Sequence, residues 1–184
     1  MTCYQNPYYD ATKAHHTEKG FVNTPKLANN GWKAFRRWRK ERKEGLTKAP
    51  PFPNVSPFPV IPVTEIQQAL LQNLSCATWL GHASVLLTID QKWIITDPHV
   101  TSHASPVSFA GPKRYTKAPL TLDQLPPLDI VLISHDHYDH LDIGTVKAIA
   151  QHPNHQQATF VVPLGYKAWL RKRGVKHIIE LDWW

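Results

Sequence analysis

Asp129-Ile130-Val131-Leu132-Ile133-Ser134-His135-Asp136-His137-Tyr138-Asp139-His140-Leu141-Asp142 is the stretch from which the rest of the chain can be read. Its first half is nearly continuous Ile, Val and Leu, the pattern of a strand buried on both faces. Its second half packs three histidines and three carboxylates into eight positions. In an extended segment alternate side chains share a side, so His135 and His137 can converge on one ion. Asp139 and His140 follow and can point at a neighbouring position. Imidazole with carboxylate suits zinc, iron or manganese, and the absence of cysteine from the group disfavours a closed structural zinc knot. The bland alternative is a solvated turn whose histidines merely cap the next helix. It would win for a lone histidine but not for this spacing at the end of an apolar strand.

Outward from the motif the pattern alternates. Ile143, Val146, Lys147 and Ile149 fit a helix, Thr159–Val162 a strand, Tyr166–Arg173 a helix ending at Gly174, and Val175–Leu181 a last strand. Upstream, Cys76–Leu80, Ser84–Ile89 and Trp93–Thr96 are short β-branched and aromatic runs separated by turn residues, and they predict an antiparallel meander. A mixed α/β sheet with helices is therefore expected. Thr64 with Gln67 three residues later predicts the capped start of a helix before the meander. The long stretch from Thr101 to Pro127 holds five prolines and reads as a functional loop.

The composition splits the chain at residues 63 and 64. Residues 1–63 read as an irregular extension with one helix and a proline-rich run from Pro50 to Pro62, and residues 64–184 as the α/β domain that carries the histidine motif. Eight of the 21 basic residues and two of the 14 acidic ones lie between Lys33 and Lys48, and the rest of the chain is balanced to within one charge. The net +7 is thus one segment rather than a field for nucleic acid, and no nucleic-acid partner is expected. Trp32, Phe35 and Trp38 share one side of that basic helix. They could rest on an anionic membrane surface, or pack on the domain with the cations in water; the second reading is favoured because charge runs are usually solvated faces. Cys3 and Cys76 suggest neither a disulfide framework nor a thiolate site, and Cys76 reads as a small buried residue. No apolar run reaches the ~20 residues of a membrane span, and Met1 to Tyr9 lacks the order of a signal peptide. The expected compartment is the cytoplasm, with a peripheral membrane role open.

Several further stretches carry a resemblance: Asn6-Pro7-Tyr8-Tyr9-Asp10, Thr78-Trp79-Leu80-Gly81-His82-Ala83-Ser84, Thr96-Asp97-Pro98, Gly111-Pro112-Lys113-Arg114 and Glu180-Leu181-Asp182-Trp183-Trp184. Together with the histidine motif they resemble the metallo-β-lactamase superfamily, in the branch of phospholipases D that hydrolyse N-acyl-phosphatidylethanolamine. The resemblance implies the N-terminal half of an αββα sandwich with a dinuclear, usually zinc, site. It implies His135 and His137 as ligands of a first metal and Asp139 and His140 as ligands of a second, with Asp139 also catalytic. Asp97 would orient a ligand, although an Asp-Pro turn explains it as well, and His82 would lie near the site. Asp136 and Tyr138 fall at positions that do not ligate. The implied activity is hydrolysis of a lipid or small-molecule phosphodiester by a metal-activated water. The family completes its site with a histidine, an aspartate and a last histidine beyond the Leu-Asp-Trp-Trp region; His152, His155 and His177 lack that context. A truncated or split hydrolase is therefore expected. The alternative is a non-catalytic fragment that associates with a partner chain, through a C-terminal edge exposed at Trp183 and Trp184, or with an anionic membrane.

Overall fold

The computed structural model describes residues 5–24, 31–45, 59, 61–72, 74–107, 109–114 and 118–183. Cys3, most of the proline run and Trp184 lie outside them. The chain forms two compact units, Met1–Pro51 and Phe52–Trp184.

In the first unit, β1 (His16–Thr17) and β2 (Gly20–Phe21) form a short antiparallel hairpin that the sequence pattern does not announce. Two-residue strands are too short to show alternation. Asn6 supplies the order instead, donating from Nδ2 to the Thr17 and Gly20 carbonyls at 3.1 and 3.0 Å. Helix α1 (Gly31–Lys43) has no buried residue, and Trp32 is 76% exposed. Trp32, Phe35 and Trp38 contact one another in a row, with Arg39 and Arg42 over the Phe35 and Trp38 rings.

The second unit is built on a sheet that, among the described residues, has six strands in sequence order. They are β3 (Cys76–Gly81), β4 (Ser84–Ile89), β5 (Lys92–Thr96), β6 (Ile130–Leu132), β7 (Thr159–Pro163) and β8 (His177–Leu181). β3, β4 and β5 run antiparallel as the meander predicted, and β5 to β8 pair in parallel. Helices α2 (Val63–Leu71), α3 (Ile143–Gln151) and α4 (Lys167–Arg171) complete the unit. α2 starts at Val63, directly after Pro62, so Thr64 lies inside the helix rather than at its cap. The fold class is mixed α/β, as expected.

One face of the sheet carries the core. Leu86, Ile95, Val131 and Phe160 lie side by side and are closed off together with Val146 and Ile149 of α3 and Leu170 of α4. The expected functional loop from Thr101 to Pro127 also feeds this core, through Leu120 and Leu125. The expectation of a strand buried on both faces is corrected: in β6 only Val131 is buried, and Ile130 and Leu132 on the opposite face are half-buried. That opposite face continues through Val161 to Ile179 and Leu181, both exposed on the edge strand β8. Cys76 is likewise half-buried, in edge strand β3, beside the Thr88 hydroxyl.

His155 is enclosed under the turn before β6, with its Nε2 2.9 Å from the Leu122 carbonyl. Burial pushes its imidazole below the ordinary value, although that carbonyl acts against the shift. A folded-state pKa below the unfolded one gives stability that is present above about pH 6.5 and is lost as pH falls through the folded value. The thermal midpoint of the chain is accordingly expected to fall on acidification from about pH 7 to 5. His155→Gln, scanned by circular dichroism, should flatten that fall.

Candidate metal centre

β3 and β5 both run antiparallel to β4, and β6 is parallel to β5, so the C-terminal ends of β3, β5 and β6 emerge at one edge. Residues just beyond those three ends are the predicted site residues: His82 after β3, Asp97 after β5, and the histidine motif after β6. Sites in α/β sheets form outside the carboxyl ends of strands because loops there converge on a rigid base.

Asp97 joins two of the ends. Its backbone N–H donates to the Leu132 carbonyl at 2.8 Å, and its φ of 37° turns the chain sharply into Pro98. Its buried carboxylate accepts from the Ser134 N–H at 2.7 Å, the Ser134 hydroxyl at 2.7 Å and His140 Nδ1 at 2.9 Å. Asp97 thus serves the turn and holds an imidazole as well. A carboxylate can only accept, so the His140 proton sits on Nδ1 and its Nε2 carries a free electron pair.

The motif closes into a tight turn in which the N–H groups of His140 and Leu141 both reach the His137 carbonyl. Asp142 then caps α3, accepting from the N–H groups of Gly144 and Thr145 and from the Thr145 hydroxyl. Within the turn, His135 Nε2 and His137 Nδ1 face each other at 2.9 Å. Two ligands of one tetrahedral zinc stand about 3.3 Å apart, so this pair needs little movement to share an ion. His140 lies against His135, ring centroids 4.1 Å apart, and its Nε2 is 3.7 Å from Asp139 Oδ2. His82 reaches in from the β3 end, with Nε2 2.7 Å from the same oxygen. Burial pushes the Asp139 carboxyl up, but its own backbone N–H, the His82 hydrogen bond and the neighbouring imidazoles outweigh this and hold it below the ordinary range.

All six predicted residues are thereby brought to one edge. Asp136 turns aside, where its charge and hydrogen bond join the larger effect of burial in pushing the Tyr166 hydroxyl up to about 12. His152 pairs with Asp123 and His177 with Gln157, away from the cluster. The sequence reading gave no role to Arg114 or His99. Arg114 donates to the His99 carbonyl and reaches the His99 ring at 3.2 Å, while its other nitrogen donates to the Leu80 carbonyl at 3.2 Å. Burial, its largest influence, holds the His99 imidazole below its usual value. The Gly111–Arg114 stretch was the available signal, but only as part of a resemblance.

The donors are imidazole nitrogen and carboxylate oxygen, with no thiolate among the described residues of the cluster, so zinc, iron and manganese fit. A sequence model described as "Beta-lactamase superfamily domain" matches residues 92–184, half of the chain and the part that includes the whole motif. The chain belongs to the β-lactamase superfamily. The chain is 46% identical over 112 residues to "N-acyl-phosphatidylethanolamine-hydrolyzing phospholipase D 1" of Caenorhabditis elegans, covering 58% of this chain and 31% of that one. It is 34% identical over 107 residues to a protein of Koribacter versatilis named a metal-dependent hydrolase, covering 57% and 38%. Among solved structures, an isothiocyanate hydrolase from Delia radicum gut bacteria aligns with a TM-score of 0.46 at 21% identity, covering 58% of this chain and 41% of that one. The chain spans under two fifths of the length of the two curated relatives.

Proposed function

We propose that this superfamily chain carries the metal-binding part of a phosphodiesterase of the phospholipase D type, with N-acyl phospholipids as the substrate class. The observation that carries it is the convergence of His135, His137, Asp139 and His140 at the strand ends, with Asp97 fixing the His140 tautomer. The substrate class is supported by the name of the nematode relative at 46% identity. Zinc is the ion we assign to the imidazole-rich set.

A pair of divalent cations at such a site acidifies water and neutralises the oxygens of a phosphodiester. The protein's own part is positioning and proton transfer. Asp97 and Ser134 lock the motif so that its donors face one space. Asp139, held ionised, takes the proton of the attacking water and passes it to the alcohol oxygen as the phosphorus–oxygen bond breaks. Phosphatidic acid and an N-acylethanolamine would leave. The exposed row of Trp32, Phe35 and Trp38 among cations favours delivery of that substrate from an anionic membrane surface, which extends the same proposal.

The test uses the full chain. Elemental mass spectrometry should find bound metal, and the His135→Ala/His137→Ala variant should lose the share held by that histidine pair. The metal-loaded chain should release N-acylethanolamine from N-acyl phospholipid vesicles, with a gain on anionic vesicles that the triple alanine variant of the aromatic row lacks. Absence of metal from both proteins would overturn the site. Bound metal with cleavage of another ester but of no phosphodiester would overturn the reaction class, and equal vesicle binding by the triple variant would remove the membrane role.

A further inference from the structure

We propose that His82 is a third direct ligand of the ion position formed by Asp139 and His140. The proposal rests on reading this region as a metal centre. It departs from the position-by-position expectation, in which His82 only lay nearby.

Geometry comes first. His82, Asp139 and His140 each offer one ligand atom, and these atoms all lie within 4.8 Å of one another. His82 Nε2 and His140 Nε2 flank Asp139 Oδ2 at 2.7 and 3.7 Å. Ligands bound at about 2.0–2.2 Å to a shared tetrahedral ion stand between three and four ångströms apart. The 2.7 Å contact therefore has to open by only a fraction of an ångström. His135 and His137 turn their nitrogens to each other, so they form a separate pair.

Backbone conformation is the second observation. His82 has φ 51°, the left-handed region that side chains enter seldom, His, Asn and Asp more often than the rest, and glycine freely. Glycine would make this turn with less strain, so a turn role alone does not account for an imidazole set beside Asp139. The contact to Asp139 as a plain hydrogen bond leaves it unexplained too: half of the His82 side chain is in solvent, where such a pair contributes little. Strain of this kind persists where a side chain is needed at a given place.

The surroundings hold that place from two sides. The Trp79 indole N–H donates to the His82 carbonyl at 2.9 Å. Arg114 donates to the Leu80 carbonyl, and its Nη2 would lie 2.6 Å from a Cβ at residue 81, so Gly81 is required for the guanidinium to sit there. Trp79 and Arg114 thus act as positioning residues for His82, and the left-handed turn is fixed before any ion arrives. Imidazoles preset in this way lose little freedom on binding.

The test is a cobalt(II) titration of the full chain, followed by visible absorption and by calorimetry. His82→Gly removes the imidazole and relieves the backbone, so the fold is preserved or improved. Loss of an outer partner of a ligand typically costs about 10–100-fold in metal affinity, and loss of a ligand should cost about 100-fold or more. His82→Gly is therefore expected to lose the tetrahedral cobalt bands and that affinity, and millimolar imidazole should restore both. The His135→Ala/His137→Ala variant should keep the bands of the His82 position. If His82→Gly binds cobalt with the affinity and spectrum of the unaltered chain, or imidazole restores nothing, His82 is not a ligand. If the unaltered chain takes up no cobalt, the metal centre itself falls, a result separate from the first.

Discussion

Asp97→Asn is expected to weaken binding of a divalent cation by about 10–100-fold, the usual scale for losing a carboxylate that orients a metal-binding histidine. The substitution keeps size and shape, and asparagine tolerates the positive φ at this position. What changes is the hydrogen-bond code. The carboxylate now accepts from Ser134 N–H on Oδ1, and from Ser134 Oγ and His140 Nδ1 on Oδ2. An amide can satisfy only one side. With its oxygen on the Ser134 N–H, its NH2 faces His140 Nδ1 and drives the proton to Nε2, removing the electron pair an ion needs. With the amide reversed, two donors collide at the Ser134 N–H in a buried setting. Isothermal titration of zinc into the variant checks the loss, and Asp97→Glu serves as the control that restores charge without geometry. Unchanged affinity in Asp97→Asn would mean that His140 is oriented by something else.

Phe160→Ala is expected to destabilise the second unit by about 3–5 kcal/mol, the range for emptying a phenylalanine site in a packed core. Phe160 is 1% exposed, sits opposite Val131 and Ile178 in the parallel part of the sheet, and belongs to the cluster closed by α3 and α4. Ile179, the register partner of Val161 on the other face, is 49% exposed, and Ile179→Ala should cost no more than about 0.5 kcal/mol, as surface substitutions do. Urea denaturation of the two variants measures both. A large loss in Ile179→Ala would show that the second face is covered in solution.

The sequence made the sheet legible wherever local patterning and pairing agreed. β4 alternates buried and half-buried residues as written, and its turns to β3 and β5 carry Gly81-His82 and Asp90-Gln91, three of which adopt positive φ outside glycine's own case. The motif after β6 was legible because its residue types have few other reasons to occur together. Other features were not, for physical reasons. Burial of β6 on one face only depends on what covers the sheet, which a run of Ile, Val and Leu does not encode. α2 starts at Val63, one residue after Pro62 and ahead of the Thr64 that the capping pattern picked out. Arg114 was invisible because its partners, the carbonyls of Leu80 and His99, are backbone atoms that any sequence supplies. The role of His82 hinges on a positive φ and a contact across the sheet, neither of which a Gly-His dipeptide specifies.

The contact between His82 and Asp139 spans 57 residues, and that between Asp97 and His140 spans 43. During synthesis the chain emerges from its amino end, so the meander is outside the ribosome before the histidines have been made. No fragment ending short of the motif can gather these donors. If the proposed centre takes up a cation, it can do so only once the middle of the sheet has zipped up, and uptake of the ion would then be a late checkpoint in the maturation of the polypeptide rather than a seed for it.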